Sequence, residues 1–86
     1  MYNIEISPTA LKFLEHLQTN NRNIVRRVIN AIDSLKTNPF LGKKLLGDLS
    51  AFRSLRVGEY RILYTIIKRE ILIQVVKIAH RREVYR

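Results

Sequence analysis

The residues of this chain that could do chemistry are arginines placed inside and at the ends of strand-like runs in the second half. Arg61 interrupts the run Tyr60–Ile67, which is otherwise almost entirely apolar or aromatic. Because an unpaired buried charge is costly, an arginine at this position needs a partner. A phosphate is one such partner, since the planar guanidinium matches phosphate oxygens. The alternative is a structural salt bridge, for which the sequence offers Glu59, Asp48 and Glu70.

Cleavage of an RNA phosphodiester is the chemistry that such arginines could support without a metal. The 2′-hydroxyl of RNA is its own nucleophile, so the protein need supply only positioning, charge neutralisation and proton transfer. Arginines suit charge neutralisation. Tyr85 lies close to Arg81 and Arg82 in the sequence. Nearby positive charge favours the ionised form of a tyrosine, which suits proton transfer. The alternative is that Tyr85 and Val84 only pack a C-terminal tail onto the sheet.

In the second half, four other basic residues precede Arg61, and each also has an ordinary explanation. Arg53 and Arg56 could be charges that keep an edge strand from aggregating. Lys43 and Lys44 could belong to a solvated loop. Residue types alone do not separate these explanations from contacts with RNA.

Metal and cofactor chemistry have little support in the sequence. His16 and His80 are far apart, cysteine is absent, and no acidic cluster resembles a ligand set. We therefore expect neither a metal nor a cofactor. The lack of cysteine fits a reducing compartment. No signal peptide and no apolar run of about 20 residues is visible, so the sequence predicts a cytoplasmic protein.

The net charge of +9 is distributed unevenly along the chain. Residues 1–42 carry five basic and three acidic side chains, whereas residues 43–86 carry eleven and four, which gives net charges of +2 and +7. This asymmetry favours a polyanionic partner. Nucleic acid is the first candidate and an acidic protein the second. A membrane surface is third, because no basic amphipathic helix is predicted in that half. Solubility or adaptation to heat is the alternative explanation.

The first half must form a strand and two helices. Tyr2–Ser7 alternates apolar and polar residues, and Ser7-Pro8 predicts a helix start, with serine as the cap and proline at the first helical position. Two helices follow within residues 8–38, ended by Asn38-Pro39. Their apolar positions recur every three or four residues: Ala10, Leu11, Leu14, Leu17, then Val25, Val28, Ile29, Ile32 and Leu35.

The second half predicts an antiparallel sheet. Its strands are Phe52–Val57, Tyr60–Ile67 and Ile71–Ala79, joined by short turns, with a further short strand possible through Lys44–Leu46. The predicted fold class is therefore α+β: an N-terminal strand, an antiparallel helical hairpin and a three- to four-stranded antiparallel sheet. Helices would cover one face, and the basic residues would lie on the open face. The length allows one domain, residues 1–86.

The sequence resembles RelE-type toxins of the RelE/ParE superfamily, which belong to bacterial and archaeal toxin–antitoxin systems. The resemblance covers nearly the whole chain, and it rests on the helical hairpin and four segments: Asn38-Pro39, Lys43–Gly47, Leu55–Tyr64 and His80–Tyr85. It implies the RelE-like microbial RNase fold. It also implies a toxin that enters the ribosomal A site, cleaves the mRNA there through the 2′-hydroxyl without a metal, and so inhibits translation.

The resemblance also implies roles for individual residues. Arg61 matches the arginine that stabilises the transition-state phosphate, Arg81 the one that protonates the leaving group or stabilises its charge, and Tyr85 the tyrosine that stacks on or orients the nucleotide. The predicted RNA-binding set is Lys43, Lys44, Arg56, His80 and Arg82. The implied partners are a RelB-like antitoxin, the mRNA and the rRNA of the A site. Operator DNA would be bound only through the antitoxin, and no membrane is involved.

The strand Phe52–Arg56 departs from the family pattern. Active relatives carry lysines there, one of them proposed as the general base, whereas this chain has Phe52 and Ser54 with Arg53 as the only extra cation. Arg53, His80 or a loop lysine could substitute, and Arg53 completes the predicted catalytic set. The alternatives are a ParE-like toxin that acts on gyrase without cleaving RNA and a non-catalytic member that acts only in the antitoxin complex and operator control. Gyrase-directed relatives generally lack the Arg/Arg/Tyr set found here.

Overall fold

The computed structural model, which describes residues 1–83, confirms the predicted order of one strand, two helices and a sheet. The helices and strands are β1 Asn3–Ile6, α1 Pro8–Gln18, α2 Arg22–Ser34, β2 Lys43–Lys44, β3 Arg53–Val57, β4 Tyr60–Ile67 and β5 Leu72–His80. Two short 3-10 helices, Gly47–Leu49 and Lys68–Glu70, lie in the connections. In this part of the chain, neither α-helix has the length and apolarity needed to span a bilayer.

Capping side chains start both helices. The Ser7 hydroxyl accepts a hydrogen bond from the Ala10 amide (3.1 Å), and Pro8 occupies the first helical position, as predicted. Asn21 caps α2 in the same way. Helix α2 ends at Ser34 rather than at Asn38. A hydrogen-bonded turn, with the Asn38 amide 3.1 Å from the Ser34 carbonyl, carries the chain on towards Pro39.

The sheet contains five strands in the order β1-β5-β4-β3-β2. Strand β4 is central, and it pairs antiparallel with β3 and β5. Strand β1 adds to the other side of β5 in parallel, with Ile4 opposite Ile73. This pairing makes the N-terminal strand part of the sheet, which the local sequence pattern did not predict.

Both helices pack on one face of the sheet. The main core joins apolar side chains of α1 and α2 to Val57, Ile62, Tyr64, Ile73, Val75 and Ile78. Alternate residues of a strand point to opposite faces, so Arg61 and Leu63 lie on the face without helices. There a smaller apolar cluster forms around Leu63 and Ala79. We call this second surface the open face.

Candidate nucleic-acid interface

Arg61 lies half-buried on the open face, near the start of the central strand β4. Its Nη1 is 3.5 Å from the Ser54 hydroxyl, which is a long hydrogen bond. Within residues 1–83 no carboxylate forms an ion pair with it. The structure therefore does not show the salt-bridge alternative with Glu59, Asp48 or Glu70, and the guanidinium remains available to a ligand.

Arg56 is the direct cross-strand neighbour of Arg61 in the β3–β4 pair. Its exposed side chain donates through Nε to the Gly58 carbonyl at 3.1 Å. Like charges placed directly opposite each other destabilise a sheet. Since no described carboxylate offsets this pair, a bound anion would relieve the repulsion. The register thus brings together two cations that lie five positions apart in the sequence.

A groove of about 380 Å³ opens beside Arg61. Basic and polar side chains form part of its wall, and leucines of the β2–β3 connection form the rest. The lining residues are Lys43, Lys44, Leu45, Leu46, Leu49, Ser54 and Arg61. The groove therefore brings Arg61 together with both predicted RNA-binding lysines.

Tyr64 holds the loop that precedes these lysines. Its buried hydroxyl donates to the Pro39 carbonyl (2.7 Å) and accepts from the Gly42 amide (2.9 Å). A Cβ at Gly42 would lie 2.8 Å from the Tyr64 ring, so the close approach requires glycine. Burial raises the pKa of Tyr64, while the Gly42 hydrogen bond and the nearby Arg53 charge oppose the rise. Sequence reasoning missed this role of Tyr64, because bonds to backbone atoms leave no residue pattern.

Arg53 is separated from Arg61 by the sheet. It pairs with Tyr64 in the β3–β4 register, on the helix-covered side. Its Nη1 donates to the Gly42 carbonyl at 2.6 Å, and its guanidinium carbon lies 5.0 Å from the centre of the Phe40 ring. The structure therefore does not bring Arg53 together with Arg61.

Glu59 contacts the last residue of β5 and the residue that follows it. Its carboxylate lies 3.1 Å from the Arg81 Nε and 3.8 Å from the His80 Nε2, and its carbonyl accepts from the Arg81 amide at 2.8 Å. His80 also contacts the edge of the Tyr60 ring, with centroids 5.7 Å apart. Sequence analysis considered Glu59 only as a partner for Arg61. Strand β5 ends beside the β3–β4 turn, so Glu59 pairs with Arg81 instead.

The remaining predicted residues lie near the end of β5 or beyond the described part of the chain. Arg82 is exposed, and its amide is 3.3 Å from the His80 Nδ1. Tyr85 lies outside residues 1–83. Because Arg61 pairs with Ala79, two residues before Arg81, the Glu59 group is adjacent to the Arg56–Arg61 pair along the sheet.

Comparisons with known proteins agree with this architecture. Residues 4–85 match the family model described as "ParE toxin of type II toxin-antitoxin system, parDE". The chain is 31% identical over 90 residues to "Putative toxin RelE1" of Methanocaldococcus jannaschii, and the alignment covers 99% of this chain and 96% of that protein.

Two solved complexes contain a chain of similar structure. The toxin–antitoxin complex RelBE2 from Mycobacterium tuberculosis matches with a TM-score of 0.80 at 26% identity, over 92% of this chain and 96% of the other. The YoeB–YefM complex from Staphylococcus aureus matches with a TM-score of 0.76 at 26% identity, over 93% of this chain and 97% of the other. Sequence and fold agree over nearly the full length, and the chain belongs to the ParE toxin family of type II toxin–antitoxin systems, within the RelE/ParE superfamily.

Proposed function

We propose that this toxin is a ribosome-dependent endoribonuclease that cleaves mRNA in the A site without a metal and so inhibits translation. The observation that supports this most directly is the Arg56–Arg61 pair. Two cations face each other across adjacent strands of the open face, and within residues 1–83 neither has an ion-pair partner. A phosphodiester placed over the pair would supply the missing negative charge.

The proposed mechanism uses the RNA as its own nucleophile. The 2′-hydroxyl loses its proton to solvent as its oxygen attacks the adjacent phosphorus. The bond to the 5′-oxygen breaks, that oxygen takes up a proton, and a 2′,3′-cyclic phosphate forms. Arg61 stabilises the charge that develops on the non-bridging oxygens. Arg81, held by Glu59, neutralises the departing 5′-oxygen, and Tyr85 orients the nucleotide.

Binding of the mRNA involves the surrounding cations. Lys43 and Lys44 line the groove beside Arg61 and would hold the neighbouring phosphates. Arg82 would extend the charged surface beyond β5, and His80, the last residue of β5, would also contact the RNA. Contacts with phosphates position the RNA without recognising its base sequence.

The proposed protein partner is a RelB-like antitoxin. The structural relatives are recorded in a toxin–antitoxin complex and in a YoeB–YefM complex. A chain of net charge +9 suits an acidic partner. Operator DNA would be reached only through the antitoxin, and the toxin would act in the cytoplasm, where ribosomes are found.

The first test is cleavage of mRNA by the purified toxin with and without programmed ribosomes, mapped by primer extension. We expect cuts within the A-site codon that require the ribosome and persist in chelator. Arg61→Ala should slow cleavage about 100- to 1,000-fold, as expected for loss of one charge-stabilising contact, while antitoxin binding is retained. Lys12→Ala, an exposed cation on α1, is the matched control. Cleavage by Arg61→Ala at the wild-type rate would refute the role of Arg61.

A gyrase-directed toxin without nuclease activity is the second candidate. The matching family is described as a ParE toxin, and Arg53 lies on the helix-covered side of the sheet, away from Arg61. Replacing both Arg81 and Tyr85 separates the candidates. Toxicity that survives both changes in a folded protein, together with inhibition of supercoiling, would favour the gyrase-directed toxin. Absence of growth arrest without antitoxin would favour a non-catalytic member.

A further inference from the structure

Phe40 is an exposed aromatic side chain placed between two cations. It lies in the loop that joins α2 to β2, with 51% of its surface exposed. The Arg53 guanidinium carbon lies 5.0 Å from the ring centre, and the Lys68 Nζ lies 5.5 Å from it. The three residues come from the loop, from β3 and from the short 3-10 helix after β4. Tertiary structure therefore assembles an aromatic surface flanked by positive charge.

The groove around Phe40 is positively charged. It has a volume of about 240 Å³, and its charged lining residues are Lys44, Arg53 and Lys68. Its other lining residues are Phe40, Ser50, Ala51, Phe52 and Ile66, so no described carboxylate belongs to it. None of the three cations forms an ion pair within residues 1–83. Clustered like charges repel one another, and an anionic ligand would be bound favourably.

An aromatic face with flanking cations fits single-stranded nucleic acid. A base stacks on the ring whatever its identity, while the cations bind the backbone phosphates. Arg53 uses one N–H on the Gly42 carbonyl, and its guanidinium has further donors for a phosphate. Phe40 is not part of the described core, and half of its surface is exposed, so a base can reach the ring beside the two cations.

Lys44 connects this groove to the one beside Arg61. It lines both grooves. In the β2–β3 pair Lys43 lies opposite Ser54 and Lys44 opposite Arg53, so the two lysines alternate between the faces of the sheet. A basic path therefore runs from the open face around strand β2 to Phe40.

We propose that Phe40, Arg53, Lys68 and Lys44 form a second RNA subsite. A base of the single-stranded mRNA stacks on Phe40, and the adjoining phosphates contact the three cations. The inference rests on the proposed function and extends it, because it gives the toxin a nucleotide contact separate from the cleaved phosphodiester. It also changes the predicted role of Arg53 from catalysis to binding.

The test measures binding of a fluorescent single-stranded RNA whose 2′-hydroxyls are all methylated, so that no cleavage occurs. Phe40→Ala should raise the dissociation constant roughly 5- to 150-fold, the range found for loss of one stacked base. Leu41→Ala is the matched control, because the neighbouring Leu41 is exposed to 48% but cannot stack. Lys68→Ala should weaken binding and make the slope of log affinity against log salt shallower by about 0.7.

The possible outcomes separate this inference from the proposed function. Equal affinity of Phe40→Ala, Leu41→Ala and wild type for the RNA would overturn the subsite, even if ribosome-dependent cleavage is observed. A Phe40→Ala variant that loses antitoxin binding but keeps RNA binding would also overturn it, and would assign the surface to a protein. Selective loss of RNA affinity in Phe40→Ala would support the subsite even if no cleavage is found. Thermal melting confirms that each variant is folded.

Discussion

Glu59 positions Arg81. Among the described residues, it is the acidic side chain that pairs with the predicted site residues His80 and Arg81. The contact combines a 3.1 Å ion pair with a backbone hydrogen bond from the Arg81 amide. Both side chains are about half exposed, at 46% and 58%, so the pair contributes little to stability, about 0–1 kcal/mol. Its larger effect should be to orient the guanidinium, since an arginine side chain without a partner samples many rotamers.

Glu59→Gln tests this positioning role. The change removes the charge but keeps the size of the side chain and the backbone hydrogen bond. We expect the free energy of unfolding to change by less than about 1 kcal/mol. The kcat for ribosome-dependent cleavage should fall while KM stays nearly constant, because an interaction made in the transition state is weakened. Glu59→Asp should restore part of kcat. A Glu59→Gln variant with wild-type kcat would contradict the positioning role.

The loop between α2 and β2 is the structural element that the site depends on most. Tyr64 ties it to the central strand through Pro39 and Gly42. Lys43 and Lys44 follow directly, and Phe40 lies within the anchored segment. The central strand therefore supports both grooves, since Arg61 lies on its open side and Tyr64 on its covered side.

Tyr64→Phe should loosen the loop without changing its charges. Loss of the hydroxyl leaves a buried amide and a carbonyl without their partner, which costs about 1–3 kcal/mol of folding stability. RNA affinity should also fall, because the lysines lose their fixed position. Urea denaturation and the binding assay with methylated RNA measure the two effects. Unchanged stability would show that the two hydrogen bonds contribute nothing to the fold.

The same variant should alter the response to alkaline pH. Burial raises the pKa of Tyr64, so the folded protein holds this proton more tightly than the unfolded chain does. The resulting stability is complete below the ordinary tyrosine pKa of about 10 and is lost as the pH rises through the raised value. Tyr64→Phe should show a shallower loss of stability above pH ~10.

At the scale of the whole molecule, the second half carries most of the net positive charge. Strands β3 and β4 place Arg56 and Arg61 on the open face, and strand β2 places Lys43 and Lys44 in the groove beside Arg61. Several phosphates could therefore be contacted together, each with release of counterions. Affinity for RNA should fall steeply as salt rises.

Arg56→Ala should make the salt dependence of RNA binding shallower by about 0.7 in slope, since one phosphate contact is lost. Arg22→Ala removes an equal charge from the start of α2 and should leave the slope unchanged. Titrations of the methylated RNA at several salt concentrations give both slopes. Equal reductions in the two variants would indicate attraction to overall charge rather than to the open face.

The sequence by itself determined the helices, most of the strands and the α+β class. These depend on short-range physics: Ser7 and Pro8 start a helix, Gly58 permits the positive φ of the β3–β4 turn, and apolar periodicity marks the buried sides. The same alternation separates Arg53 from Arg56, because three positions along a strand lead to opposite faces. Arg61 could be singled out because a cation within an apolar strand is unusual.

Only the tertiary structure decided which face of the sheet the helices cover and which residues of different elements come into contact. The parallel pairing of β1 with β5, the contact of Glu59 with Arg81 and the approach of Arg53 to Phe40 join segments from different elements. Their partners depend on strand order and register, and local propensity carries no information about either. Tyr64 binds backbone atoms, which every residue possesses. The residue types therefore indicated the chemistry, and packing determined where each group could act.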